Sequence, residues 1–395
     1  MHNNFIKNLL KLEDVIIKNV KNLKEVVEIH IELPVIEHEC PNCGAKTTKI
    51  HDYYSQTITD IPIYFKPTKL IYKKRRYKCT RCNKSFFENN SIVNRFARKT
   101  RRLTEYIIDQ LRNLQPISII SKNTGVDASF ISRMLPYLAV SNHRLPRVLC
   151  IDEFKGNAGN FKYQVALING ETHEVIDILE CRHKHFLCDY FKKYPQSERD
   201  KVQYFVTDLW ETYKDISFTY FRKAKIIADH FHFARYTCNV VNKIRIEVQK
   251  KLPSDERKYF KHSRKLLLSR NCKLTEKQNE ELSYILTNYS EDLRVAYIEK
   301  EILLDILHSS ENSNIKINKF NAWVNRNLTS DILELKECAK TYYNWYIEIK
   351  NSLEVPYSNG ATEGFNNKIK VLKRVCFGFR KFKNFKARIL LLNRG

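Results

Sequence analysis

The segment from 147 to 229 constrains the fold more than any other part of the chain, because strand-like apolar runs alternate there with helix-like runs. Three strands are predicted first, and Asn169-Gly170 between the second and third indicates an antiparallel hairpin. A helix that ends at Pro195, a fourth strand, a helix and a fifth strand follow. The predicted strands are 147–154, 161–169, 174–180, 202–208 and 224–229.

This order of elements is that of the ribonuclease-H-like fold, so we expect an α/β domain built on a mixed sheet. Such a sheet places Asp152, on the first strand, beside Asp208, at the end of the fourth, because adjacent strands lie about 4.8 Å apart. Two carboxylates this close both stay ionised only when cations lie between them. Oxygen ligands select Mg²⁺ or Mn²⁺, and a pair of such ions can promote in-line phosphoryl transfer.

Glu363 is the candidate for the third carboxylate of this metal site. It follows a glycine-containing turn, at the start of a basic helix. Lys370 lies two helical turns further along the same face, where it could hold a phosphate, and Arg374 lies one turn beyond. A single aspartate at a strand end is more often structural than catalytic. The prediction therefore depends on three acids at the three expected places.

Two other acids compete for a role in this site. Glu153 directly follows Asp152, and Asp229 ends the fifth predicted strand. Asp229, with His230 and His232, could belong to a metal shell or contact DNA. Alternatively, Asp229 simply caps the helix that follows.

Two CxxC pairs, Cys40 with Cys43 and Cys79 with Cys82, predict a structural Zn²⁺ site. Each pair fits a tight turn that directs two thiolates at one point, and Gly44 suits the positive φ that such turns need. The 35 residues between the pairs indicate a small sheet inserted between the two turns. Four unliganded thiols are the alternative, and His51 is a candidate substitute ligand.

Residues 117–138 predict two short helices joined at 124–126, where Gly125 permits a sharp turn and Asp127 caps the second helix. This arrangement is typical of a helix-turn-helix, although a helical hairpin without a ligand is the alternative. The second helix would present one side to a DNA groove. The residues on that side are Ala128, Ser129, Ser132 and Arg133.

The charge of the chain favours a polyanionic partner. Sixty-nine Lys and Arg against 44 Asp and Glu leave a net charge of +25, and double-stranded DNA is the partner that we expect. Fourteen cations and one acid lie between Lys66 and Arg102, and ten cations and no acid lie between Asn366 and Gly395. The second cluster is interleaved with phenylalanines at 377, 379, 382 and 385.

Several classes of protein are disfavoured. No apolar run approaches the length of a membrane span, and the first residues lack the pattern of a signal peptide. We therefore expect a cytoplasmic protein whose eleven cysteines serve metal binding or packing and do not form disulfides. The expected domains are a zinc-binding β domain (1–95), a helix-turn-helix domain (96–145), a catalytic core (146–238 and 355–395) and an all-helical insertion (239–354).

Taken together, these segments resemble the bacterial DDE-class insertion-sequence transposases, in particular the family with an N-terminal zinc-binding domain and a helix-turn-helix. The resemblance covers nearly the whole chain and rests on CPNCG, CTRC, ISIISKNTGVDASFISRML, CIDEF, VTDLW, ADHFHFAR and NGATEGFNNKIKVLKR. It implies that Asp152, Asp208 and Glu363 are the catalytic acids and that Lys370 is the trailing basic residue. It also implies an enzyme, associated with the nucleoid, that recognises terminal inverted repeats and joins their 3′ ends to target DNA. Paired cleavage of two ends favours a homodimer.

Two other functions remain open at this point. The first is a DNA-binding regulator whose ribonuclease-H-like domain is catalytically inactive. The second is a structure-specific nuclease that cuts DNA without joining it.

Overall fold

The computed structural model describes residues 14–94, 97–138, 144–156, 158–376 and 379–392. The chain forms two compact units, the first made of Met1–Val140 with Val371–Gly395 and the second of Ser141–Lys370. The range 355–395, which we expected to belong wholly to the catalytic core, is therefore divided between the two units. Phe377, which the sequence places in the basic C-terminal cluster, lies outside the described residues.

The first unit contains β1–β7, three consecutive helices and the last helix of the chain. Its elements are β1 (Ile16–Asn22), β2 (Val27–Glu32), β3 (His38–Glu39), β4 (Lys46–Thr47), β5 (Ile50–Ile63), β6 (Lys66–Lys78), β7 (Ser85–Phe87), α1 (Arg101–Arg112), α2 (Ile117–Thr124) and α3 (Ala128–Leu138). The second unit begins with β8 (Val148–Lys155), β9 (Tyr163–Asn169), β10 (Val175–Leu179), α4 (Lys184–Phe191), α5 (Gln196–Arg199), β11 (Tyr204–Thr207), α6 (Glu211–Tyr220) and β12 (Lys225–Ala228).

Helices make up the remainder of the described chain. They are α7 (His230–Lys251), α8 (Ser254–His262), α9 (Arg264–Leu268), α10 (Glu276–Asn288), α11 (Glu291–His308), α12 (Ser313–Leu328), α13 (Leu333–Asn344), α14 (Tyr346–Glu354), α15 (Gly360–Val375) and α16 (Phe382–Leu392). The predicted helical character of 231–350 is confirmed. The buried faces of α7 to α14 contribute to one hydrophobic core, in which Trp323 and Tyr342 are fully buried.

The first unit has a sheet in the order β1-β2-β6-β5, with β7 added to β6. The long antiparallel strands β5 and β6 lie between the two CxxC pairs, so the small sheet predicted from their wide spacing is confirmed. One face of the sheet is apolar because strand residues alternate between the two faces. In β2, for example, Val27, Ile29 and Ile31 are buried in turn.

The two predicted short helices are present as α2 and α3. The helix α2 ends at Gly125, whose φ is 67°. The carboxylate of Asp127 accepts hydrogen bonds from the backbone N–H groups of Ser129 (2.7 Å) and Phe130 (3.2 Å), as expected for a capping residue. These helices share a core with α1 and α16, made of Leu103, Ile107, Leu111, Ile120, Val126, Ile131, Leu135, Ala387 and Leu391.

The second unit is built on a mixed sheet in the order β10-β9-β8-β11-β12. β8 to β10 are antiparallel neighbours, whereas β11 is parallel to both β8 and β12. All five predicted strands and the predicted helices α4 and α6 are confirmed. The central strands are buried on both faces, which is why β8 reads as the continuous apolar run from Val148 to Ile151. In the described residues no helix has the length and apolarity needed to cross a membrane.

Candidate functional site

Asp152 and Asp208 lie on neighbouring parallel strands of the second unit. In the pairing of β8 with β11, Cys150 is opposite Val206. Two residues further along each strand, the same register brings Asp208 level with Asp152. The predicted adjacency of these two strands is therefore confirmed.

The environment of both aspartates disfavours their negative charge. Burial raises the pKa of Asp152 to about 7, and the charges of Asp208 and Asp229 act in the same direction. Burial likewise raises the pKa of Asp208 to about 6, with Glu153 and Asp229 adding to it. The imidazole of His232 opposes both shifts. Asp152 is buried and Asp208 half-buried, so the two carboxylates form a site that disfavours negative charge.

Glu363 lies in the first turn of α15 and is exposed. Among the described residues, one group of three or more metal-binding side chains has ligand atoms that all lie within 4.8 Å of one another, and it consists of Cys40, Cys43, Cys79 and Cys82. The structure thus does not gather Glu363 into such a group with Asp152 and Asp208. Its catalytic role stays a prediction.

The helix that carries Glu363 meets Asp152 through a different residue. The side-chain amide of Asn366 donates a hydrogen bond of 2.9 Å to Oδ2 of Asp152. Asn366 lies three residues after Glu363, so the two side chains are neighbours on the helix surface. Its amide oxygen is buried and has no hydrogen-bond partner within the described ranges.

Asp229 and Asn359 attach the start of α15 to the sheet. Asp229 is 2% exposed and stands at the N-cap position of α7, but its side chain does not cap that helix. Its Oδ1 atom accepts a hydrogen bond of 2.9 Å from the backbone N–H of Asn359. The Asn359 side chain in turn donates to the carbonyl oxygen of Ile151 (3.2 Å). His232 lies 3.9 Å from Asp229, and burial lowers the pKa of His230.

Glu153, the other competing acid, forms an ion pair with Arg182. The guanidinium of Arg182 lies over the rings of Tyr163 (4.5 Å) and Trp210 (5.0 Å). Glu153 thus has its own cation. Sequence reasoning named Asp229 and Glu153 as competitors but missed Asn359 and Asn366, although both lie in or beside the motif that contains Glu363.

The four cysteines of the first unit converge as predicted. The sulfur atoms of Cys40 and Cys82 lie 3.5 Å apart, and those of Cys43 and Cys79 lie 3.6 Å apart. Tetrahedral coordination with Zn–S bonds of about 2.3 Å places sulfur atoms about 3.8 Å apart, so the arrangement fits zinc. His51 is not part of the group and lies 3.3 Å from Asp52.

The two cysteine turns have the same backbone design. The residue after each pair has a positive φ, 69° at Gly44 and 55° at Asn83. The backbone N–H of each donates to the carbonyl oxygen of the first cysteine of its pair. Backbone N–H groups also point at sulfur. The hydrogen bond from Lys84 contributes most to lowering the pKa of Cys82 to about 6, whereas burial and the neighbouring cysteines raise the pKa of Cys43 to about 12. A thiolate is the form that binds metal.

The predicted DNA-contacting residues have different surroundings. Ser129 and Arg133 are exposed, and Arg133 donates to the Ser129 hydroxyl (3.1 Å). Ser132 is half-buried and accepts a hydrogen bond from the Asn384 side chain (2.7 Å). On α15, Lys370 and Arg374 are exposed, and Lys370 donates to the side chain of Asn367 (3.0 Å).

Comparison with known proteins gives two family matches. Residues 149–389 match the ISL3 DDE family, described as transposase, and residues 36–82 match the zinc finger of the transposases IS204, IS1001, IS1096 and IS1165. Among curated relatives, the transposase for insertion sequence element IS1001 of Bordetella parapertussis is 23% identical over 357 residues, which cover 89% of this chain and 87% of the relative. A protein of Lactococcus lactis subsp. lactis named ATP-dependent protease is 52% identical over 52 residues, 13% of this chain and 17% of that protein.

Proposed function

The chain belongs to the ISL3 family of DDE transposases, and on that premise we propose that it cuts and joins DNA at one site formed by Asp152, Asp208 and Glu363. The observation that carries this proposal is the aspartate pair on adjacent parallel strands, with Asp152 buried and Asp208 half-buried, in which both pKa values are raised. Paired carboxylates whose negative charge is disfavoured in this way suit a site that takes up divalent ions, and they supply the hard oxygen ligands that Mg²⁺ and Mn²⁺ prefer.

DDE transposases use such ions, which activate the attacking oxygen and stabilise the leaving oxygen of a phosphoryl transfer. In this chain Asp152 and Asp208 would hold them from the sheet. Glu363 would complete the ligand set from α15. The contact between Asn366 and Asp152 supports this role, since it brings the face of α15 that bears Glu363 to the aspartate.

Asp229 and Asn359 would act as positioning residues. Together they bind the backbone just before α15 to the residue that follows β12 and to the middle of β8. A shift of this helix by about 1 Å would move Glu363 away from the aspartates, and misplacements of that size cost large factors in rate. The Asn359 side chain, 2% exposed, is well placed to prevent such a shift.

The finer features of the fold and of the partner belong to the same proposal. The strand order of the second unit supports a ribonuclease-H-like core, and α7 to α14 would be its helical insertion. The helices α2 and α3 would form a helix-turn-helix, with Ser129 and Arg133 exposed toward a DNA groove. The bound DNA would be the terminal inverted repeats of an element and its target, and a homodimer would pair two ends.

Strand transfer with end-containing DNA and Mn²⁺ tests the catalytic assignment. We expect Asp152→Ala, Asp208→Ala and Glu363→Ala each to remove both nicked and joined products while DNA affinity is retained. Asp255→Ala, at an exposed position of α8, is the matched control and should be fully active.

Each alternative has its own outcome in this assay. An active Glu363→Ala variant would remove Glu363 from the site. Cleavage by the wild-type protein without covalently joined strands would identify a nuclease. DNA binding by the wild type with neither product would identify a regulator.

A further inference from the structure

A cavity of about 640 Å³ lies within the first unit. It is bordered by the starts of α2 and α3 and by α16 with the residues just before it. The wall includes the side chains of Ser118, Ser129, Arg380, Lys381, Asn384 and Arg388. Three of these six side chains are cationic and none is acidic.

Arg388 is the unusual member of this wall. Its side chain is 0% exposed. Its Nη2 atom donates to the carbonyl oxygen of Gln115 (3.0 Å) and lies 3.7 Å from the sulfur of Cys376. Its Nε and Nη1 atoms are buried and have no hydrogen-bond partner in the described part of the chain.

A guanidinium in this position has no counter-charge among the described residues. Arginine stays protonated when buried, and a buried charge is costly unless it is paired and hydrogen-bonded. In the described ranges no carboxylate forms an ion pair with Arg388. An anion in the cavity would provide both the missing charge and acceptors for the unpartnered N–H groups.

Further donors border the same cavity. The helix α2 starts after Pro116 without a side-chain cap, and the first N–H groups of a helix have no acceptor within it. These groups and the positive end of the helix dipole favour an anion. Arg380 and Lys381, both exposed, add two positive charges at the cavity wall.

We propose that this cavity binds a backbone phosphate of duplex DNA, with Arg388 as its buried anchor. The inference rests on the proposed role of α2 and α3 in binding DNA and names a contact for it. Each of the two unpartnered groups, Nε–H and Nη1–H, can donate a charge-assisted hydrogen bond to a phosphate oxygen. Because phosphate contacts set the register of a protein on the duplex, this contact would fix the position of α3 over the bases.

The test uses the full-length protein, a 30-bp duplex and the slope of log affinity against log salt. We expect Arg388→Met to weaken binding roughly tenfold for every duplex sequence and to make the slope shallower by about 0.9, the value for one phosphate contact. The double variant Arg380→Ala/Lys381→Ala should also make this slope shallower. The control, Lys277→Ala with Lys340→Ala, changes two exposed lysines of the second unit and should leave affinity and slope unchanged.

A second measurement covers the case in which Arg388→Met does not fold. Single neutral methylphosphonates are placed at each duplex position in turn. At one position, the methylphosphonate should weaken binding of the duplex by the wild type. The same methylphosphonate should weaken binding by the Arg380→Ala/Lys381→Ala protein much less. Inorganic phosphate, at constant ionic strength, should raise the melting temperature of the wild type more than that of the same double variant.

The outcomes separate this inference from the proposed function. If the wild-type protein does not bind duplex DNA, the proposed function fails. If it binds with a steep salt slope that both cavity variants leave unchanged, only the cavity proposal fails. Stabilisation by inorganic phosphate without any change in the DNA slope would show a free-anion site and would overturn the assignment to DNA.

Discussion

At the scale of single residues, the aspartate pair links stability to pH. The pKa of Asp152 is about 7 in the folded protein, above the value of about 3.9 in an unfolded chain. The folded state therefore holds this proton more tightly, and stability falls as pH rises from about 4 to about 7. Asp208, whose pKa is about 6, acts in the same direction.

We accordingly expect Asp152→Asn to stabilise the protein when no divalent ion is added. The gain in the free energy of unfolding should be on the order of 2–4 kcal/mol at pH 8 and smaller at pH 5. Urea denaturation at several pH values measures it. Asp255→Asn, at an exposed position, is the control and should give no comparable gain over the wild type. Identical pH profiles for Asp152→Asn and the wild type would contradict the assigned environment.

A second residue-scale prediction concerns Asn366, which holds Asp152 through a hydrogen bond of 2.9 Å. Residues that orient a metal ligand typically account for 10–100-fold in metal affinity or activity. We expect Asn366→Ala to raise the Mn²⁺ concentration needed for half-maximal strand transfer by about that factor, with unchanged DNA affinity. Asn321→Ala, exposed on α12, is the control. An unchanged Mn²⁺ requirement would show that the hydrogen bond has no role in the site.

The sequence indicated the acids of the candidate site but not the asparagines that form hydrogen bonds with them. Asp152 and Asp208 could be predicted because each ends or interrupts a buried strand. The hydrogen bond from Asn366 to Asp152 spans 214 residues, and that from Asn359 to Asp229 spans 130. No periodicity in a single sequence indicates which polar side chains meet across such separations.

At the scale of elements, the hairpin between β9 and β10 was predicted correctly, but the turn that connects its strands is not the one that the sequence suggests. Asn169-Gly170 suggests a two-residue turn, but the chain connects the strands through 170–174, with the positive φ at His173 (61°). Gly170 is suited to its place by packing, since a Cβ atom there would lie 2.6 Å from Val148. The strands themselves were predictable because their apolar runs are long and continuous.

The two cysteine turns should make the stability of the first unit depend on zinc. Zinc binding and folding are coupled in such small elements, because the site forms only when both turns are in place. We expect about one zinc ion per chain in the wild type, its loss in Cys43→Ser, and a lower melting temperature of the first unit. Cys272→Ser, which changes an exposed cysteine outside the group, should keep its zinc. Zinc retained by Cys43→Ser, measured by mass spectrometry, would rule out the four-cysteine site.

At the scale of the whole molecule, the division of the chain into two units does not follow the order of the sequence, because the first unit contains both ends of the chain. The helix α15 begins in the second unit, yet Val371–Gly395 belongs to the first. The apolar residues of α16, such as Ala387 and Leu391, complete the core of α1 to α3. An amphipathic helix shows in its sequence that it has a buried face but not which core receives that face. The C-terminal boundary was therefore not predictable.

The net charge of +25 belongs to the entire chain and should govern how its affinity for DNA depends on salt. Each phosphate neutralised on duplex DNA contributes about −0.9 to the slope of log affinity against log salt. Cations clustered as densely as in 66–102 and 366–395 should engage six or more phosphates, so we expect a slope steeper than about −5. Fluorescence anisotropy with a labelled duplex between 50 and 300 mM KCl measures it, and a duplex of the same sequence with an uncharged peptide backbone is the control. A slope near zero, or equal affinity for the uncharged duplex, would mean that base contacts hold the DNA and that the basic clusters do not.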